Sequence, residues 1–131
     1  MTMITEDMKA AMQGVVPSGL VTCSKDGIPN TTYISQVYFV DNNHVALSHQ
    51  FFNKSIRNIR ENPYACVSII NPEDAGMWRL GLRFIHSEFE GELFELMSAQ
   101  LEAIASMTGM ENVFRLKSCE IFEVLRAEKI T

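Results

Sequence analysis

A chain of 131 residues has room for one hydrophobic core of ordinary size, so residues 1–131 are expected to form a single domain. With 47% apolar and 21% charged residues the composition is globular, and three cysteines without CxxC spacing exclude a disulfide scaffold or a zinc finger. The formal charge of −5 has the wrong sign for gripping nucleic acid, and no apolar run is long enough to cross a membrane or to head a secretory signal.

The elements follow in chain order. Thr5 can cap a short helix over residues 5–14, with Glu6 and Asp7 at its positive end and Met8, Ala11 and Met12 on one face. Residues 20–24 read as a strand, Lys25-Asp26-Gly27 as a hairpin turn, and the β-branched and aromatic stretch 31–40 as a second strand. Asp41-Asn42-Asn43 turns the chain into a third strand over 45–49. The period then changes: Phe52, Ile56 and Ile59 share a helical stripe, and Asn62-Pro63 closes a helix near 53–62. Residues 64–70 are almost continuously apolar, which predicts a strand buried on both faces. Trp78, Leu80, Leu82 and Phe84 alternate with Arg79, Gly81 and Arg83, the pattern of a strand with one apolar face. Leu93 to Met107 give a longer amphipathic helix closed by Gly109, and a last strand spans about 114–125. The sum is a mostly β protein of about six strands with flanking helices. Antiparallel hairpins with one helix-linked return predict a small barrel rather than a parallel sheet.

Common catalytic signatures are missing. There is no GxGxxG, GxxxxGK, GxSxG or HExxH, and His44, His49 and His86 lack metal-ligand spacing, so no metal site is expected. Cys23, Cys66 and Cys119 read as reduced thiols behaving like small apolar side chains, which points to the cytoplasm. The informative stretch is residues 48–63. Asn53 reads as the N-cap of the helix, which sets Lys54 and Ser55 in its first turn, where a lysine opposes the helix dipole. An anion there would reverse that sign, gathering backbone N–H groups, Lys54 and the Ser55 hydroxyl; the plainer reading is a solvated lysine. Arg57 lies one turn on. Arg60 sits near the helix C-terminus, where a cation is favourable without any ligand. His49, beside this stretch, can hydrogen-bond a ligand or serve as an acid or base, or it is simply a polar strand end. Trp78, Phe51 and Phe52 can stack on a ring or belong to the core. Arg79 and Arg83 are expected to flank a groove floored by Gly81 and to reach a carboxylate across a dimer or the far end of a ligand; otherwise they are unrelated arginines on a solvated face.

A strand ending in a hydroxyl residue, a short link, and then Lys54 with Ile59 and Asn62-Pro63 leading into an apolar strand resembles the FMN-binding split barrel of the pyridoxamine 5′-phosphate oxidase-like proteins. The opening helix, the Ser24-Lys25-Asp26-Gly27-Ile28-Pro29 hairpin and the element order agree from about Met8 to Pro72, and the remainder agrees more loosely. The resemblance implies a small antiparallel split β-barrel with two to three helices. It implies FMN, with a deazaflavin or no cofactor as alternatives, and a homodimer with the cofactor in the subunit cleft. It also implies that Lys54 meets the phosphate with Asn53 or Ser55, assisted by Arg57; that Leu47 and Ser48 run along the ribityl chain and ring; and that Ser35, Gln36 and Val37 line the isoalloxazine. The oxidases themselves carry basic residues on the second strand, where this chain has Tyr33 and Tyr38 and no basic residue from Ile28 up to His44, and they carry an Arg in a C-terminal segment that has no match here. The expected function is therefore a flavin-dependent oxidoreductase acting on a small molecule or electron donor, but not on pyridoxamine 5′-phosphate. The alternative is a non-catalytic flavin- or ligand-binding module for sensing or storage.

Overall fold

β-Branched and aromatic stretches punctuated by tight turns leave the chain few options besides antiparallel pairing. A computed structural model of the chain describes residues 3–12, 16–49, 53–109 and 115–130. In order they form α1 (Glu6–Ala11), β1 (Ser18–Cys23), β2 (Pro29–Ile34), β3 (Val37–Asp41), β4 (His44–His49), α2 (Asn53–Glu61), β5 (Tyr64–Ile70), β6 (Met77–Glu88), α3 (Glu92–Thr108) and β7 (Ser118–Lys129). The strands make one antiparallel sheet in the order β2-β1-β5-β6-β7-β4-β3.

That order explains why the expected strand over 31–40 is two strands. β2 and β3 are the two edges of the sheet, yet they are consecutive in the chain, joined only through Ser35 and Gln36. The sheet has to curl until its edges meet at this bend, where the Ser48 amide donates to the Gln36 carbonyl at 3.4 Å. Closing a curled sheet this way breaks the strand and makes a split barrel.

The barrel interior is apolar, with Leu80, Val67 and Val45 fully enclosed. Met8 and Ala11 of α1 and Ile56 and Ile59 of α2 join the same cluster, and so does Trp78, which is core and no platform for a ring. A second cluster lies outside the barrel, where Met97 and Leu101 of α3 pack on Ala46, Cys119 and Ile121. Gly109 ends α3 in the left-handed conformation, as its position predicts, at φ 73° with its N–H donating to the Ala105 carbonyl. Burial pushes the Cys119 thiol up to about 12, with Glu88 and Glu120 adding to the effect, so it stays a neutral core side chain.

Three expectations are corrected. β5 is buried on one face only: Val67 and Ile69 point inward, while Tyr64 is 58% exposed on an outer face that also carries Val21, Tyr33 and Leu125. Arg79 and Arg83 each have a carboxylate partner within the chain. They pair with Glu128 (3.5 Å) and Glu123 (2.8 Å) of the same chain, directly opposite across the β6–β7 ladder. Gly81 is not a bare floor either: Arg126 lies over it, with its Cγ 3.0 Å from where a Cβ would stand. The last strand begins at Ser118 and not near 114; residue 114 itself is outside the described residues.

Candidate functional site

α2 closes one end of the barrel, and its polar side chains fix how it sits. Asn58, buried, donates to Thr22 Oγ1 at 3.1 Å, and Asn30 donates to Ser55 Oγ at 3.2 Å. Both bonds run to the β1–β2 hairpin, so the start of the helix is held against a strand pair and not against a mobile loop. The helix already includes Asn53, which is therefore not its cap as the sequence predicts; Gln50, Phe51 and Phe52 lie outside the described residues. Lys54, Arg57 and Arg60 project from the exposed side, and the first turn holds no acid. Lys54 forms no ion pair among the described residues.

The end of β4 approaches from the other side. Leu47 and Ser48 are buried and pair with Glu120 and Cys119 of β7, and His49 pairs with Ser118. A narrow slot of about 20 Å³ lies where these meet α2, lined among others by Leu47, Ser48, His49, Ser55, Ile56 and Glu120. Beside it opens a hollow of about 570 Å³ bounded by His49, Ile56, Arg57, Arg60 and Glu61. His49 is common to both.

The fold thus gathers Leu47, Ser48, His49, Ser55 and Arg57, with Lys54 exposed at the head of the same helix. Ser35 is half-buried at the strand break and borders neither space. Gln36 turns away, donating to the Met97 carbonyl (3.0 Å) and to Gln100 Oε1 (2.6 Å) of α3, and Val37 lies in the barrel core. Arg60, set aside on helix-dipole grounds, shares the hollow with Arg57 and His49.

Sequence reasoning missed Ser118, Glu120 and Ser87. Glu120 is 2% exposed on the inward side of β7, and its two carboxylate oxygens accept from Ser118 Oγ and Ser87 Oγ, at 2.5 Å each. His49 Nδ1 lies 3.1 Å from the same Ser118 Oγ, while its Nε2 is buried and meets no hydrogen-bond partner among the described residues. Burial pulls the His49 pKa below its usual value; Glu120 acts upward, and Lys117 and Arg60 act downward. The sign follows directly. The unfolded chain binds the proton more readily than the folded one, so the stability His49 contributes is present above about pH 6.5 and is lost as the pH falls from there through the depressed folded value. Urea midpoints measured from pH 8 to pH 5 should fall in the parent, and His49→Gln should flatten the part of that fall centred just below pH 6.5. A slope unchanged by His49→Gln would show that other groups set it.

Among the described residues no cluster of three His, Cys, Asp or Glu side chains can hold a metal, and no helix is long and apolar enough to cross a membrane. What is present can hold an anion: three cations on the exposed side of α2, a hollow bordered by two of them, and a buried ring nitrogen that meets no partner among the described residues.

Comparison with known proteins bears on the family and the fold. A family model described as pyridoxamine 5′-phosphate oxidase matches residues 4–124. An uncharacterized protein of Methanocaldococcus jannaschii is 30% identical over 73 residues, a match that covers 54% of this chain and 48% of that protein, about half its length. Among solved structures, an FMN-binding protein from Syntrophomonas wolfei superposes with a TM-score of 0.76 at 16% identity, over 94% of this chain and 85% of the other. HutZ, the heme storage protein from Vibrio cholerae, superposes with a TM-score of 0.60 at 19% identity, over 98% and 95%. At such identities the superpositions speak for the fold alone. The match along nearly the whole length, together with the strand order and the closed β2–β3 bend, means that this chain belongs to the pyridoxamine 5′-phosphate oxidase-like family of split barrels.

Proposed function

We propose that the chain binds FMN at the head of α2 and works as a flavin-dependent oxidoreductase on a small molecule or electron donor, without pyridoxamine 5′-phosphate oxidase activity. The observation that carries this reading is the row of cations Lys54, Arg57 and Arg60 on the exposed side of α2, of which Arg57 and Arg60 border a hollow with His49, in a chain of net charge −5. Lys54 and the free amides of the first turn would meet the phosphate, with Asn53 and Ser55 beside them, and Arg57 and Arg60 would add field. Leu47, Ser48 and the backbone of residues 35–37 would border the ribityl chain and ring. Bound FMN supplies hydride chemistry of its own, so the protein has only to hold, orient and shield it.

A second copy of the chain completes the site in this reading. The outer face of β1, β2 and β5 exposes Val21, Tyr33 and Tyr64 around the small residues Gly19 and Ser68. An apolar face of this kind calls for a partner. The alternative is a storage or sensing module that holds the flavin without turning it over.

One titration tests the reading. FMN added to the purified protein should give a shifted, saturable visible spectrum, and light scattering should report a particle of twice 14.8 kDa. Bleaching of the bound flavin by a nicotinamide donor marks the oxidoreductase. A flavin that binds but resists every donor marks the storage module. A spectrum that stays that of free FMN rejects flavin altogether.

A further inference from the structure

His49 is tied at one ring nitrogen and bare at the other, and the hydrogen count decides which nitrogen carries the proton. Ser118 has a single hydroxyl hydrogen, and it is donated to Glu120 Oε1. Toward His49 that hydroxyl can therefore only accept, so the 3.1 Å contact is Nδ1–H donating to Ser118 Oγ. Neutral His49 is then the Nδ1–H tautomer, and the buried Nε2 carries a lone pair. An imidazole in water prefers its hydrogen on Nε2, so the protein holds the ring against its own preference. The anchor is braced from two further strands: Ser118 and Glu120 belong to β7, and Ser87 of β6, directly opposite Glu120 in the ladder, bonds the other carboxylate oxygen. A buried acceptor without a donor is costly to keep. A three-residue chain that holds that acceptor at the wall of the slot has the form of a ligand-positioning device, of the kind that orients ring nitrogens in other sites.

We propose that Glu120 and Ser118 are positioning residues that fix His49 as the Nδ1–H tautomer, so that Nε2 accepts a hydrogen bond from a ring N–H of the bound ligand. The inference rests on the flavin reading above in one respect, the identity of the ring. An oxidised flavin has one ring N–H, on its imide, and that is the donor assigned here. The ring of His49 is faced by Glu120, Ser118, Lys117, Arg60 and Glu61, and none of these but Ser118 hydrogen-bonds it.

The test has a readout that needs no cofactor. Nitrogen-15 shifts of the His49 ring in the unliganded protein at pH 8, assigned by loss in His49→Gln, should show a protonated Nδ1 and a bare Nε2. Ser118→Ala, nearly isosteric, should move the hydrogen to Nε2, and Ser118→Thr, which restores a hydroxyl, should return it to Nδ1. FMN should then bind Ser118→Ala about tenfold more weakly than the parent or Ser118→Thr, the loss expected of one hydrogen bond. FMN methylated at the imide nitrogen should bind the parent as weakly as unmodified FMN binds Ser118→Ala. A parent ring protonated on Nε2 overturns the positioning role, whatever FMN does. Equal affinity for methylated and unmodified FMN overturns the assigned donor while leaving flavin binding intact. FMN that fails to bind the parent overturns the flavin reading, and the assigned ring N–H with it.

Discussion

Lys54→Ala is expected to weaken FMN binding ten- to hundredfold. A hydrogen bond between an ammonium and a phosphate contributes about 1.5–3 kcal/mol when both groups are partly shielded. Here it acts at the head of a helix whose first turn contains no acid and whose start is pinned by Ser55 and Asn58 to the β1–β2 hairpin. Without a ligand the lysine opposes the helix dipole, so the unliganded variant should be as stable as the parent or slightly more so. That combination separates a binding role from a structural one: affinity falls and the melting temperature does not. Lys54→Arg should keep most of the affinity, and Arg57→Ala should cost less than Lys54→Ala because Arg57 stands one turn further from the free amides. Fluorescence titration of FMN at two salt concentrations checks all three variants. A Lys54→Ala protein that titrates like the parent would move the phosphate elsewhere, with the hollow beside Arg57 and Arg60 the next place to look.

Phe122→Ala should lower stability by about 3–5 kcal/mol, the usual cost of emptying an aromatic core position. Phe122 is 1% exposed at the centre of β7, packs edge-to-face on Phe84 at 5.6 Å between ring centroids, and lines the slot beneath His49. Its neighbours sit on paired strands and cannot collapse into the space without breaking the ladder. For a chain of this size the melting temperature should drop by about 10–20 °C. Phe122→Leu, which refills most of the volume, should recover more than half of the loss. A drop below about 3 °C for Phe122→Ala would mean that the barrel interior relaxes freely and that the slot is no rigid feature.

Local patterns in the sequence sufficed for several features that depend on neighbours in the chain. The Asp26-Gly27 turn, the change of period at Ile56 and Ile59, and the stop at Gly109 are each determined by residues within one turn of one another, and each stands where it is expected. The split of residues 31–40 is of another kind. Its stretch is uniformly β-forming, and only the closing of the curled sheet, which makes β2 and β3 opposite edges, breaks it at Ser35-Gln36. The inward face of β7 was equally hidden, because α3 covers its outer face: Cys119 and Ile121 are as buried as Phe122 and Val124, so alternation has no polar side to mark. Glu120 therefore could not be told from a solvated carboxylate. His49 and Ser118 lie 69 residues apart, and Ser87 and Glu120 33 apart. The cations of α2 and the family resemblance were determined by the sequence alone. What those cations stand beside, and which nitrogen of His49 is left bare, was decided by the strand register, because hydrogen bonds across a ladder join residues that no local pattern relates.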